Sequence, residues 1–282
     1  MKVLLYITFL GFIFSCNSLD KPDPVASYIY IPSIAMANQP GYGTARQDFT
    51  EAWVYLDGNL IGAFPIPALV PLIKAGNGEI TVFAGIHVNG IKSASELYPL
   101  MDRYVKVVKL TPGKIDTIQP VVGYRPEVTP IIIEGFEGLA SVFPDKLHGK
   151  GISFISDDVF EGTKSGALEM DTLAPLNEVA SFELNTLPKD GTKIYVELHF
   201  KNEVDFLVGL KGYSGINEAT QYIVGLRPST EWQKMYIDIT DEVMASDFPN
   251  YKLLIQSGLP FDGNKLTLDK ARILIDNVKL MY

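Results

Sequence analysis

Few residues in this chain have both the type and the spacing that catalysis demands. The three histidines, His87, His148 and His199, stand far apart, and there is no H-E-x-x-H. His199 alternates away from the apolar positions of its run, which predicts a solvated surface side chain. A serine nucleophile would sit in a G-x-S-x-G turn, and Gly212-Tyr213-Ser214-Gly215 lacks that spacing. No glycine-rich phosphate loop precedes a helix. Glu134 with Glu137, and Asp157 with Asp158, are the right types for acid–base hydrolysis of a glycoside. An acidic chain carries many such pairs on its loops, so they single out no active site. The sequence is therefore read as non-enzymatic. What remains is recognition chemistry, in which aromatic rings stack on sugar rings among polar groups. Trp232 and Tyr236 share one parity of a run, opposite Met235, Ile237 and Ile239, and Tyr213 and Tyr222 belong to neighbouring runs.

The only cysteine, Cys16, directly follows an apolar run at residues 3–14. That run is too short to span a bilayer, which needs about 20 apolar residues, but it suits the hydrophobic region of a secretory signal at residues 1–15. The four residues Ile13-Phe14-Ser15-Cys16 resemble the lipobox of bacterial lipoproteins, with Phe14 bulkier than is usual there. The resemblance implies cleavage before Cys16, lipidation of its thiol and attachment to a membrane through that residue. It also implies, through Asn17, the outer membrane. Residues 16–25 are polar and proline-rich, hence an extended tether. Their acidic residues resemble surface-export signals, which favours the cell surface over the periplasmic face.

The formal net charge is −9. An acidic chain without a basic stripe excludes nucleic acid as a natural partner. With Cys16 lipidated no disulfide can form, so the fold must rest on apolar cores.

From residue 26 onward the pattern is one of strands and turns. In "EAWVYLDGNLIGAF" (51–64) the Asp57-Gly58 pair predicts a tight hairpin. "SASELY" (93–98) is read as one helical turn. "YRPEVTP" (124–130) has two prolines and no apolar period, and places a linker at 125–130 between an N-terminal unit (26–124) and a C-terminal unit (131–282). In "KIYVELHF" (193–200), Ile194, Val196, Leu198 and Phe200 share a face. On the last strand, Ile273 and Ile275 have one parity and Val278 and Leu280 the other, so a bulge at Asp276-Asn277 is predicted to return all four to one core. "TDEVMASD" (240–247) reads as a short helix capped by Thr240 or Asp241. The fold class is all-β, two β-sandwiches in tandem.

Two resemblances refine this. "VYLDGNLIGAFPIP…GNGEITVFAGI", over roughly residues 50–124, resembles the PEGA-like and carboxypeptidase-regulatory-like sandwich modules of surface proteins. "IEGFEG", "VFEGTKSGALEM", "TEWQKMYIDIT" and "ILIDNVKL", over 131–282, resemble the carbohydrate-binding-module type of jelly roll. The latter implies a structural calcium held by Glu137, Asp276 and the backbone around Gly162 and Lys164.

Two functions follow as expectations. The first is a non-enzymatic outer-membrane lipoprotein docked on a larger outer-membrane protein machine, with Tyr98, Leu100 and Met101 as an apolar contact. The alternative is capture of surface polysaccharide by the C-terminal jelly roll through Trp232, Tyr213, Tyr222 and Tyr236.

Overall fold

The computed structural model describes residues 24–282 apart from 94 and 186; Cys16 and the anchor segment lie outside the described residues. The chain is built almost wholly from β-strands. The N-terminal unit has a five-stranded sheet in which Asn59–Pro65, Glu51–Leu56 and Gly76–His87 lie side by side. Ser95–Leu97 and Tyr104–Leu110 share the far edge of the long third strand. A second sheet joins Ala68–Leu72, Ser27–Ile31 and Ile115–Thr117. Alternation along Gly76–His87 places Ile80, Val82, Ala84 and Ile86 in one core with Ile29, Ile31, Val70 and Leu72. The predicted hairpin is present, with Asp57 at φ +49° and Gly58 at +80°, the two left-handed residues that a primed two-residue turn requires. Ser95–Leu97 is a strand paired with Gly85–His87 rather than a helical turn.

The C-terminal unit is a sandwich of a six-stranded and a five-stranded sheet. The six-stranded sheet runs Ile152–Ile155, Ser165–Asp171, Lys270–Met281, Tyr195–Asn202, Ser229–Asp238, and Pro130–Glu134 pairs with the latter half of Lys270–Met281. The five-stranded sheet runs Asp145–His148, Leu176–Ala180, Asn250–Gly258, Phe206–Ser214, Asn217–Leu226. Ile194, Val196, Leu198 and Phe200 all face the core between them. The bulge predicted on the last strand is there: Asn277 has φ +49°, the pairing with Tyr195–Asn202 slips beside Asp276, and Ile273, Ile275, Val278 and Leu280 are all fully buried. The helix Thr240–Ala245 starts differently from expectation. Its N-cap position is Ile239, without a side-chain cap, and Asp238 just before it accepts the Thr240 N–H at 2.9 Å. Thr240 is turned inward, its hydroxyl accepting the Ile194 N–H at 3.0 Å.

A buried seam joins the two units. The long strand Gly76–His87 continues into a bridge between Val88 and Tyr236, and the Asn89 N–H donates to the Tyr236 carbonyl at 2.8 Å. This covers part of the open edge of the six-stranded sheet, which would otherwise present unpaired backbone groups. Tyr195, Tyr236 and Met281, from the outer face of that sheet, belong to the core of the N-terminal unit.

Candidate functional site

The aromatic side chains singled out in the sequence are split between opposite faces of the C-terminal sandwich. Tyr236 lies in the seam, fully enclosed, with its hydroxyl donating to Gln47 Oε1 at 2.7 Å. It cannot serve as a platform for sugar. Tyr98, Leu100 and Met101 are likewise buried, at 0, 3 and 3% exposure, so they are not an exposed tip for a partner protein. The residues expected to serve two rival functions in fact pack on one another. The Tyr98 ring meets Tyr236 edge-on at 5.2 Å and Tyr195 at 5.1 Å.

Beneath those rings is a buried polar cluster. Glu197 accepts the hydroxyls of Tyr98 at 2.5 Å and Tyr124 at 2.7 Å, and pairs with Lys234 at 2.7 Å. Lys279 donates to the Tyr124 hydroxyl at 3.1 Å and to the Thr44 carbonyl at 2.7 Å. Burial alone would raise the Glu197 pKa, but Lys234 and Lys279 outweigh it and bring the carboxylate down to about 2. Burial lowers Lys279 to about 8. These groups tie the units together.

Trp232 is also a packing residue. Its indole N–H donates to Asp158 at 3.1 Å and its ring leans on Phe160, which stacks at 3.9 Å on His199. His199 is therefore not a solvated side chain: it is 4% exposed, and burial with Lys234 nearby lowers it to about 2, so the ring is neutral. Beside Trp232 is a cleft of about 820 Å³ lined in part by Asp158, Lys201, Glu203 and Arg272. Its charges neutralise one another, Lys201 with Asp158 at 2.7 Å and Arg272 with Asp157 at 2.8 Å.

Glu137 and Asp276 lie on either side of the 161–165 loop, as the resemblance implies, but they hold it through hydrogen-bond donors. Glu137 accepts the N–H groups of Thr163 at 2.6 Å and Lys164 at 2.9 Å, and Asp276 accepts the Ser165 hydroxyl at 2.6 Å and the Glu161 N–H at 3.3 Å. Calcium requires six to eight oxygens at about 2.3–2.6 Å. Here amide and hydroxyl donors face the carboxylates, and among the described residues no three acidic, histidine or cysteine side chains converge. The residues as arranged do not fit the ion. Burial raises Asp276 to about 6, and a bound cation would reverse that shift. Calcium at millimolar concentration is accordingly expected to leave the melting temperature unchanged. A rise of several degrees that a chelator abolishes would mean that the loop turns its carbonyls to the carboxylates.

The outer face of the five-stranded sheet is different. One cross-sheet row reads Asp145, Ala180, Leu254, Gly209, Tyr222. Tyr222, on the edge strand, donates its hydroxyl to Glu178 Oε1 at 2.7 Å, across the two strands that lie between. Three strand spacings are roughly 14 Å, a span these side chains cover only by lying flat along the sheet. Gly209 permits this. A Cβ there would lie 2.9 Å from Tyr222 Cα and 3.0 Å from its ring, and would overlap the Gln221 carbonyl oxygen. Ala180 and Leu254 are fully buried although they point outward, so they form an apolar floor. Lys211 and Lys252 line one side as directly paired neighbours, Gln256 and Leu207 the other. Lys252 stands 5.9 Å over the Tyr213 ring and pairs with Asp145. Phe182, on the parity of Glu178 and Ala180, is 39% exposed.

Of the residues nominated from sequence, only Tyr213 and Tyr222 reach this face. Glu178, Phe182, Lys211, Lys252 and Gln256 were missed. Two signals pointed to it: the isolated Gly209 inside an apolar strand, which marks a close approach, and the alternation of Glu178, Ala180 and Phe182 against Val179.

No protein-family model and no curated protein matches the sequence. Among solved structures, the chain is similar to a family 22 xylan-binding domain of Paenibacillus barcinonensis, at 14% identity over 54% of this chain and 93% of that one, with a TM-score of 0.41. It is also similar to a family 30 carbohydrate-binding module of a Clostridium thermocellum cellulosomal cellulase (14% identity, 54% and 92% covered, TM-score 0.37). A third is a family 29 module from Piromyces equi (18% identity, 55% and 91% covered, TM-score 0.36). At these scores the likeness assigns no ligand; that must come from the side chains.

Proposed function

We propose that this chain is a non-enzymatic glycan-binding protein, anchored to the outer membrane through Cys16 and presenting the outer face of its five-stranded sheet to polysaccharide at the cell surface. The observation that carries the proposal is the Tyr222 ring, laid flat over Gly209 and held by Glu178. An aromatic face is electron-rich and receives the C–H face of a pyranose ring. Lys211, Lys252, Gln256 and Glu178 lie on the same face of the neighbouring strands and provide the few polar groups that fix a ligand. The Tyr222 phenol is pushed up by burial and by its bond to Glu178, so it stays protonated and the platform keeps its pose at neutral pH. The docking of a partner machine through Tyr98, Leu100 and Met101 has no comparable support, because those side chains are enclosed.

The test is a glycan array followed by calorimetry on the purified chain. Tyr222→Ala is expected to weaken binding at least about tenfold, the equivalent of about 1.4 kcal/mol. Tyr222→Phe, which keeps the ring but not the bond to Glu178, should weaken it less. Trp232→Ala should leave affinity unchanged. Equal affinity in wild type and Tyr222→Ala would sink the proposal.

A further inference from the structure

A cleft of about 600 Å³ opens between the two units, with Asn89 and Lys92 on its N-terminal lip and Arg227 and Gln233 on its C-terminal lip. Its other lining combines apolar Met235 and Leu226 with small polar groups. The lips carry an excess of positive charge although the whole chain has net charge −9. Lys92 and Arg227 are exposed, and among the described residues neither makes an ion pair, unlike most cations around the Trp232 cleft. The other titratable groups of the lining are held or outnumbered. His87 is bonded to Glu51 at 3.0 Å, Lys234 is paired with Glu197, and Asp48 is the single carboxylate.

The cleft and the strand that carries Tyr222 meet at Gly225. Gly225 lines the cleft and lies three residues from Tyr222 on the same edge strand, roughly 10 Å along the chain direction. Gly225 also ends the row Glu178, Gln256, Leu207 across the sheet. A polymer lying on Tyr222 and leaving the sheet over this edge enters the cleft.

The geometry points to an acidic polysaccharide as the ligand, with a sugar carboxylate seated between Lys92 and Arg227. This rests on the glycan reading of Tyr222 and names the substrate class. Two unpaired cations across a partly enclosed cleft favour an anion through charge-assisted hydrogen bonds, and the attraction weakens with salt because both side chains are exposed.

Polygalacturonate and its fully methyl-esterified form share a backbone and differ in carboxylate charge. Wild-type protein is expected to bind the acid at least about tenfold more tightly than the ester at low ionic strength, and the preference should shrink with added salt. Lys92→Gln with Arg227→Gln, which removes both charges without repelling the polymer, should bring the acid down to the affinity of the ester, with ester binding and melting temperature unchanged. Tyr222→Ala should weaken both. If the double variant keeps the wild-type preference for the acid, the carboxylate site is overturned while the Tyr222 reading stands. If Tyr222→Ala binds both polymers as wild type does, while the double variant loses the preference, the Tyr222 reading falls and the cleft remains. No binding of either polymer by wild type overturns the acidic-glycan inference, and the neutral polymers of the glycan array then decide the Tyr222 reading by themselves.

Discussion

Replacing Glu197 with alanine is expected to destabilise the protein by about 3–5 kcal/mol, the usual consequence of removing one member of a buried, hydrogen-bonded ion pair. The carboxylate is enclosed and has four partners: the hydroxyls of Tyr98 and Tyr124, the Gln47 amide at 3.2 Å and Lys234. Its removal leaves Lys234 and Lys279, whose side chains are buried, without their counter-charge. Three of those four partners belong to the N-terminal unit or its exit, so the loss falls on the seam. Thermal unfolding should therefore separate into two transitions in the variant, where the wild type melts as one. Glu197→Gln keeps one acceptor oxygen but loses the charge and puts an NH2 donor in place of the other, and should fall between them. The pH dependence has a definite sign. The Glu197 pKa in the folded chain is lowered to about 2 from an ordinary 4.5, so its stabilisation is fully present above 4.5 and is lost as the pH falls toward 2. Wild type minus Glu197→Gln should show that loss in acid denaturation, and other carboxylates cancel in the difference. A penalty under about 1 kcal/mol for the alanine variant, within the range of exposed pairs, would show that the cluster does not hold the seam.

Gly209→Val is expected to abolish glycan binding and to destabilise the C-terminal sandwich together. A Cβ at residue 209 overlaps backbone, at the Gln221 carbonyl and Tyr222 Cα, rather than the mobile end of a side chain. The edge strand Asn217–Leu226 must then shift away from Phe206–Ser214. Overpacking of this kind costs about 1–3 kcal/mol. The same shift lifts the Tyr222 ring and breaks its bond to Glu178. Gly225→Ala is the informative control. Its added carbon would lie 3.3 Å from a terminal methyl of Leu207, a flexible neighbour that can give way, so the stability of the sandwich should change little. Wild-type affinity in Gly209→Val would separate the platform from the binding site.

Much of the local structure was legible because β-structure writes its burial with a period of two. Parity on the last strand conflicted between Ile275 and Val278, and a bulge at Asp276-Asn277 was the only local way to resolve it. The Asp57-Gly58 pair named its own turn. The short apolar faces of 193–200 and 271–280 located the sandwich core. Legibility stopped at the second face of those strands. Tyr195, Glu197 and His199 alternate with core residues and look like solvent-facing positions, yet all are buried. What covers them comes from far along the chain: Tyr98 and Tyr124 from the N-terminal unit, and Phe160 from a loop.

The sequence by itself determined an all-β chain, the Asp57-Gly58 hairpin and the core-facing parity of its strands, because each depends on neighbours a few residues apart. Only the tertiary structure decided which aromatic rings are free. Tyr236 and Tyr98 are enclosed in the seam, the half-buried Trp232 is engaged by Asp158 and Phe160, and the half-buried Tyr222 lies over Gly209 on the outer face of the five-stranded sheet. Exposure of a side chain is set by whichever surface arrives opposite it, and for Glu197, His199 and Trp232 that surface is encoded tens of residues away, beyond the reach of local periodicity.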